Sequence, residues 1–221
     1  MKHRVLFLTD SLGLPRPDKS VLAHETWCQL VAKNLNETYE PYFQLYGGLH
    51  SKMLMLYRNQ GYLAGYEAET VILQIGIVDC SARVLPEKVK KIISAIPIIS
   101  RITRNIIKRY HRSLSTLLNV KYVKEKQFEK NLIELRNSFS SANFIVIPIA
   151  PATKGFIEMM PRISRNIEKY NLILEKVFQD EFISDAYQSI NAEELLLPDH
   201  YHLNVKGHEH IYKKVTAQFP Q

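Results

Sequence analysis

Two short segments far apart in the chain carry side chains that together can perform nucleophilic hydrolysis. Ser11 follows Asp10 at the end of a short apolar run, where a serine hydroxyl can be exposed on a tight turn. Asp199 lies three residues before His202, so its carboxylate can fold back over one turn and accept a hydrogen bond from one imidazole nitrogen. The other nitrogen is then free to take a proton from a serine hydroxyl. Each segment alone also fits a capping turn, because Asp and Ser are favoured in turns.

Apolar runs that alternate with segments of helical periodicity predict the elements that position these side chains. The runs are residues 3–8, 42–46, 70–75 and 143–149, and the helical segments include 21–35, 51–59 and 205–219. Strands separated by helices form parallel sheets, and uniformly apolar strands are buried on both faces. The order therefore predicts a three-layer α/β/α sandwich with a mostly parallel sheet. Ligands bind such sheets beyond the carboxyl ends of the strands, where we expect residues 10–11, 47–48, 76–79 and 148–153 to meet.

Composition restricts the class of protein. The 221 residues, 46% hydrophobic and 23% charged, are typical of one globular domain spanning residues 1–221. The two cysteines exclude a disulfide scaffold and a four-cysteine zinc site, and they favour a reducing compartment. The first apolar run stops at Thr9 and is too short for a signal peptide, and no other run is long enough to span a bilayer. We therefore expect a cytoplasmic protein, at most peripheral to a membrane.

Residues 84–126 interrupt the alternation and concentrate the positive charge. The chain has a formal net charge of +7, and from Arg83 to Lys126 twelve Lys and Arg stand against two acids. Apolar side chains recur between these cations at helical spacing, which predicts one or two basic amphipathic helices inserted within the domain. Such an insertion is either a lid with solvated cations or a surface for an anionic membrane or partner. Nucleic acid is not an expected partner, because the segment offers few aromatic side chains for stacking.

Four short blocks, in order along the chain, resemble those of the SGNH, or GDSL-type, hydrolases. Thr9-Asp10-Ser11-Leu12 is similar to the Gly-Asp-Ser-Leu block of that family, and Asp199-x-x-His202 to its Asp-x-x-His block. Gly48 falls where the family has its oxyanion glycine, and Gly76-Ile77-Val78-Asp79 where it has Gly-x-Asn-Asp. The resemblance covers nearly the whole chain except the basic insertion. It implies the flavodoxin-like α/β/α fold of these enzymes.

The resemblance also implies a role for each matching residue. Ser11 would attack an ester carbonyl, His202 would take and return the proton, and Asp199 would hold the histidine tautomer. The backbone N–H groups of Ser11 and Gly48 would face the oxyanion. No cofactor is needed for this chemistry, and none is expected. The residues expected to bind substrate are Asp10, Gly76, Val78, Asp79 and Arg83.

One position departs from the family pattern. Val78 stands where the family has an asparagine whose side chain is the third oxyanion donor, and a valine side chain cannot donate. Losing one oxyanion donor costs on the order of 100- to 1,000-fold in turnover. The enzyme is then slow, uses a substitute donor or has a different chemistry. The nearest substitute donors are a backbone N–H group in residues 78–80 and the side chains of His50 and Arg83.

The function that this resemblance implies is a serine esterase that removes acetyl or another small acyl group from an acylated carbohydrate, glycan or related ester. Two alternatives remain open from the sequence. The same site could be an O-acyltransferase, with a sugar hydroxyl replacing water as acceptor. Alternatively, a domain that has lost turnover could bind an anionic membrane, glycan or partner through its basic helices, and Val78 favours this alternative.

Histidines near the C-terminus also resemble a metal cluster. Histidines two apart on a helix do not share a face, however, so His208 and His210 cannot both face one ion. We therefore expect no metal site, and we expect His208 and His210 to face solvent. The residues of this cluster are His200, His202, His208 and His210, with Asp199 and Glu209.

Overall fold

The structure, a computed structural model of the chain, describes residues 2–35, 37–83, 113–114 and 117–219. Its strands are β1 (His3–Thr9), β2 (Tyr39–Leu45), β3 (Thr70–Gln74), β4 (Ala82–Arg83), β5 (Val120–Lys121) and β6 (Asn143–Val146). Its α-helices are α1 (Trp27–Asn34), α2 (Ser51–Asn59), α3 (Ile77–Cys80), α4 (Glu125–Ser138), α5 (Lys154–Met159), α6 (Ile163–Phe178), α7 (Ala192–Leu195) and α8 (Val205–Thr216).

The central sheet has the strand order β2-β1-β3-β6, and every neighbouring pair is parallel. Strand β1 pairs along its whole length with β2, so the two strands end side by side at Thr9 and Leu45. On its other edge β1 pairs with β3, where Thr9 lies opposite Gln74. The loops that follow these three strands therefore all begin at the carboxyl end of the sheet.

Alternating side chains of the strands build a separate core on each face of the sheet. On one face Leu6 and Leu8 of β1 pack in a cluster with buried residues of α2, α4 and α6. On the other face Val5 and Phe7 belong to a cluster with buried residues of α1, α7 and α8. Helices thus cover both faces, and the predicted three-layer α/β/α sandwich is confirmed.

The helix that the sequence predicts over residues 21–35 is shorter in the structure. Residues 23–25 form a 3-10 turn in which the Glu25 carboxylate accepts the backbone N–H of Leu22 at 2.7 Å. Thr26 is extended, with φ −70° and ψ 143°, so α1 begins only at Trp27. The side-chain cap on Leu22 satisfies a backbone donor locally, which allows the chain to turn before the helix starts.

Helices α1 and α8 pack together through His208, which is predicted to face solvent. His208 is only 1% exposed, and its Nδ1 accepts the backbone N–H of Trp27 at 3.1 Å. The prediction of a solvent-facing His208 is therefore wrong, because the face of α8 that carries His208 also carries the buried Ile211 and Val215. His210, on another face, is half-buried and its Nε2 bonds to the carbonyl oxygen of Ala186 at 2.6 Å.

The buried His208 predicts a pH dependence of stability. Burial, together with the charges of Arg16 and His202, lowers the pKa of His208 to about 4. Between pH 6.5 and about 4 the unfolded chain therefore takes up a proton at this position while the folded chain does not. Stability falls as pH falls through this window, by about 3 kcal/mol for this group.

Urea unfolding of the wild type and of His208→Gln at about pH 4, 5 and 6.5 measures this contribution. Burial raises the pKa values of the Asp10 and Asp79 carboxyls to about 7. Their contribution to stability therefore falls as pH rises, and it does so equally in both proteins. The difference in unfolding free energy between the two proteins isolates His208. We expect that difference to grow with pH, and a constant difference would contradict the assignment.

The two ends of the segment between β4 and β5 meet in a short antiparallel ladder. Ala82 pairs with Lys121 and Arg83 with Val120. The predicted basic helices of residues 84–126 lie mainly outside the described residues, since residues 84–112 and 115–116 are not among them. Among the residues that the structure describes, no helix is both long and apolar enough to cross a membrane.

Candidate active site

The turn that carries Ser11 is set by the residue before it. Asp10 ends β1 and caps a 3-10 turn over Ser11–Gly13, because its Oδ1 accepts the backbone N–H of Leu12 at 2.9 Å. The Asp10 backbone N–H donates to the carbonyl oxygen of Gln74 at 3.0 Å, which continues the pairing of β1 with β3. Ser11 is thus held at the carboxyl edge of the sheet by one side-chain bond and one backbone bond.

A second turn, just before α8, carries the histidine. The Oδ1 of Asp199 accepts the backbone N–H groups of Tyr201 at 3.3 Å and of His202 at 3.1 Å. The backbone N–H of Leu197 donates to the carbonyl oxygen of His202 at 2.7 Å, which closes the turn. Asn204 then caps α8 by accepting the backbone N–H of Gly207 at 2.9 Å.

The two turns bring Ser11, His202 and Asp199 into one chain of hydrogen bonds. Nε2 of His202 lies 3.1 Å from Oγ of Ser11, and Nδ1 lies 2.9 Å from Oδ2 of Asp199. This is the hydrogen-bonded order of nucleophile, base and orienting carboxylate that acyl transfer to a serine requires.

The electrostatics of the pair suit a base and its orienting group. Burial lowers the pKa of His202; the Asp199 hydrogen bond opposes this shift and the charge of Arg16 adds to it. Burial acts to raise the pKa of Asp199, but the hydrogen bonds from His202 and Tyr201 outweigh it and lower the pKa of this carboxyl. At neutral pH His202 is therefore a neutral base with its Nδ1 proton held by an ionised Asp199.

Ser11 and His202 open into a cavity of about 350 Å³. The loops after β2 and β3 contribute Gly47, Gly48, Ile77 and Val78 to its wall. Its size is at the lower end of the range for small-molecule sites. Three of the four loops predicted to meet at the sheet edge do so here. Residues 148–153, the fourth predicted segment, do not line the cavity. The remaining side is formed by Phe156 of α5 and by Met160, the residue after α5.

A buried network fixes the loop that carries Gly48 against the loop that carries Val78. Oδ1 of Asp79 accepts both the backbone N–H of Ser51 at 2.9 Å and its hydroxyl at 2.6 Å. Asn131 of α4 donates to the same Ser51 hydroxyl oxygen at 2.9 Å. Because Ser51 starts α2 directly after the Gly48 loop, Asp79 sets the distance between the two halves of the cavity wall. Neither the role of Ser51 nor Asn131 was predicted. Ser51 stands in the block Gly48-Leu49-His50-Ser51, but its bonds go to residues 28 and 80 positions away.

Three residues expected to bind substrate lie beneath the cavity instead of on its wall. Asp10 and Asp79 are fully buried and hold the turns described above. Gly76 is also buried, with φ +121°, and a Cβ at this position would lie 2.6 Å from Cδ1 of Ile149. The substrate-binding prediction for Asp10, Gly76 and Asp79 is therefore corrected to a structural role, because none of them reaches the cavity.

Val78 and Arg83, which are predicted to bind substrate, line the cavity, whereas His50 does not. The Arg83 guanidinium lies over the ring of Tyr122, 4.3 Å from its centroid. His50 stacks on the same ring at 5.3 Å, and its Nδ1 accepts the backbone N–H of Met53 at 3.3 Å as the cap of α2. Of the two side chains considered as substitute oxyanion donors, only Arg83 is on the wall.

The structure also adds residues to the site that the sequence did not identify. Arg16 and Tyr201 line the cavity beside His202. Tyr201 precedes His202, and their ring centroids are 4.7 Å apart. The one signal for Arg16 is its position in the loop that follows β1. In the part of the chain that the structure describes, no group of three or more His, Cys, Asp or Glu side chains is placed to hold a metal ion.

A parallel sheet in the order β2-β1-β3-β6, with the serine after its first strand and the histidine before its last helix, is the fold of the GDSL-type, or SGNH, hydrolases. The predicted resemblance is thus confirmed in the fold. The sequence matches no protein-family model and no curated protein.

Solved structures of esterases and lipases are similar to this chain over nearly its whole length. The lipase/acylhydrolase from Enterococcus faecalis is 14% identical with a TM-score of 0.66, covering 98% of this chain and 94% of that one. The acetyl xylan esterase AlAXEase is 17% identical with a TM-score of 0.64, covering 98% and 100%. A GDSL-like lipase from Parabacteroides merdae is 12% identical with a TM-score of 0.62, covering 98% and 96%.

Proposed function

We propose that this protein is a serine ester hydrolase that removes acetyl or another small acyl group from an acylated carbohydrate or related ester. The observation that carries the proposal is the hydrogen-bonded chain from Ser11 through His202 to Asp199, open to a cavity of about 350 Å³. The similar folds of a lipase/acylhydrolase and an acetyl xylan esterase support the same class of reaction.

The proposed reaction follows from the roles of the three side chains. Ser11 Oγ attacks the acyl carbon as His202 Nε2 takes the hydroxyl proton, and Asp199 stabilises the imidazolium. The tetrahedral intermediate collapses as His202 returns the proton to the leaving alkoxide, which leaves an acyl-enzyme. Water then repeats both steps and releases the acid. The backbone N–H groups of Ser11 and Gly48 are the proposed oxyanion donors.

Features of the cavity favour a short acyl group and a sugar-like alcohol. Ile77, Val78, Phe156 and Met160 supply apolar wall, and a cavity of about 350 Å³ leaves little room for a long acyl chain beside the alcohol. The Tyr201 side chain also lines the cavity, and this residue is 40% exposed. An exposed aromatic ring beside polar groups is a surface on which the C–H face of a sugar ring packs.

The test of this proposal combines turnover with covalent labelling. We expect the wild type to hydrolyse p-nitrophenyl acetate and butyrate faster than p-nitrophenyl decanoate. An alkyl phosphonate ester should inactivate the enzyme and add its phosphonyl mass to the peptide that contains Ser11, as read by mass spectrometry. The proposal fails if the wild type turns over no short-chain ester, or if the label lies on another residue while activity is lost.

Arg83 is the proposed substitute for the missing oxyanion donor. Its guanidinium is fixed by the Tyr122 ring, and Nε is buried without a hydrogen-bond partner among the described residues. We expect Arg83→Ala to lower kcat by about 100-fold with little change in KM, because a donor to the transition state is lost.

The matched variant for Arg83→Ala is His50→Ala, which removes the imidazole that stacks on the Tyr122 ring but no group from the cavity wall. We expect His50→Ala to retain kcat within a few-fold while losing some thermal stability, because it removes the cap of α2. Wild-type kcat in Arg83→Ala would assign the third donor to a backbone N–H group in residues 78–80 instead.

A further inference from the structure

Arg16 occupies a place in the site that the serine mechanism does not use. Its Nη2 lies 2.7 Å from Nε2 of His202 and 3.4 Å from the carbonyl oxygen of Ser11. Its Nη1 donates to the carbonyl oxygen of Pro15 at 3.2 Å. None of these three acceptors is anionic. Hydrogen bonds from a guanidinium to an anionic oxygen are about twice as strong as hydrogen bonds between two neutral groups.

The bond from Arg16 competes with the nucleophile for the catalytic base. With the Nδ1 proton held by Asp199, Nε2 of His202 has one lone pair, and a guanidinium can only donate to it. Ser11 Oγ, at 3.1 Å, approaches the same nitrogen from farther away. For Ser11 to transfer its proton, Arg16 must first leave Nε2.

The charge of the cavity points to what draws Arg16 away. Arg16 and Arg83 both line it, and none of the described residues that line it is an acid. Within the described part of the chain, neither arginine forms an ion pair with a carboxylate. A cationic cavity of this kind attracts an anionic ligand, and a planar guanidinium binds carboxylate or phosphate through two parallel hydrogen bonds.

We propose that the natural ester carries an anionic oxygen group, a phosphate or a carboxylate, close to its scissile acyl group, and that Arg16 binds this group and thereby releases His202. The inference rests on the proposed esterase function and names the class of its substrate. Binding of the anion and activation of Ser11 are then one event, because the guanidinium cannot donate the same N–H to both acceptors.

The chemical step balances without any further reactant. The anion accepts the N–H group that Arg16 withdraws from Nε2, and the Ser11 hydroxyl proton moves to the freed Nε2 as the Oγ–C bond forms. As the ester C–O bond breaks, the leaving alkoxide takes that proton from Nε2. Water then restores Ser11 by the same proton transfers while the anion still holds Arg16, and Arg16 returns to Nε2 when the anionic product leaves after this step.

Two pairs of esters test the inference and locate the anion. p-Nitrophenyl butyrate and mono-p-nitrophenyl succinate differ by a carboxylate on the acyl side. 2-Methoxyethyl acetate and 2-acetoxyethyl phosphate differ by a phosphate on the alcohol side. After subtraction of the uncatalysed rates, we expect the wild type to prefer the anionic member of at least one pair by about 10- to 100-fold in kcat/KM, as for a charge-assisted hydrogen bond.

Substitution of Arg16 should remove this preference. We expect Arg16→Ala to lose about 10- to 100-fold in kcat/KM on the preferred anionic ester and to gain kcat on its neutral partner, because Nε2 is freed. Arg16→Lys keeps the charge but not the planar fork, so it should retain part of the preference. Arg165→Ala, an exposed position of α6 outside the cavity, should behave as the wild type on all four esters.

The outcomes separate this inference from the proposed function. Equal kcat/KM of the wild type on both members of both pairs overturns the inference and leaves the esterase proposal intact. A preference that persists in folded Arg16→Ala also overturns it, because another group would then bind the anion. No hydrolysis of any of the four esters by the wild type would overturn the esterase proposal and the inference with it.

Discussion

Replacing Ser11 with alanine is expected to lower kcat for short-chain p-nitrophenyl esters by a factor on the order of 10⁴ or more. The alanine removes the oxygen that lies 3.1 Å from Nε2 of His202, so no acyl-enzyme can form. Any remaining hydrolysis would come from water attacking an ester bound in the cavity. Initial rates at substrate saturation measure the effect.

The control for this variant is Ser164→Ala, an exposed serine of α6. Ser164→Ala should have the kcat and the thermal midpoint of the wild type. Ser11→Ala should unfold at nearly the same temperature as the wild type, since no hydrogen bond of the Ser11 hydroxyl other than that to His202 is found among the described residues. Hydrolysis by Ser11→Ala at more than about a tenth of the wild-type rate would exclude Ser11 as the nucleophile.

Asp199→Asn is expected to lower kcat by about 10⁴-fold while leaving the fold in place. The side-chain carbonyl oxygen of the new amide can still accept the backbone N–H groups that now bond to Oδ1. The amide nitrogen then faces Nδ1 of His202 in place of Oδ2 and donates to it. The imidazole proton moves to Nε2, and the base that should accept the Ser11 proton is lost.

The control for this second variant is Asp180→Asn, which exchanges an exposed carboxylate in the 3-10 turn after α6 for an amide. It should retain the wild-type kcat. Circular dichroism should give the same helix content for the wild type and both variants. A loss of less than about tenfold in Asp199→Asn would show that Asp199 does not set the tautomer of His202, and the orienting role would then belong to another group.

The sequence predicted the layers of the fold because the relevant signals are local. Each strand of the central sheet contains a largely apolar run and is followed within two residues by Gly, Asp or Pro, and helical periodicity separates the runs. Ser11 and the Asp199-x-x-His202 turn were found for a similar reason. Each is a short block whose geometry follows from its own few residues.

The remainder of the site depends on contacts between distant segments. Arg16 and His202 are 186 positions apart, and no spacing rule relates them. The face that His208 presents depends on how α8 packs against Trp27, which periodicity within α8 alone does not fix. Asp79 was expected to bind substrate because it follows a strand. Its carboxylate is instead buried and accepts hydrogen bonds from the backbone N–H and the hydroxyl of Ser51.

The order in which the chain is made has a consequence for when the site exists. Ser11 and His202 are separated by 191 positions, so at about 5–20 residues per second Ser11 leaves the ribosome roughly 10–40 s before His202. During that interval the strands β1, β2, β3 and β6 can pair, but Ser11 has no group to take its proton. Only when α8 packs on α1 is the hydroxyl activated. In the proposed mechanism, a nascent chain is therefore not acylated by cellular esters before α8 has packed on α1.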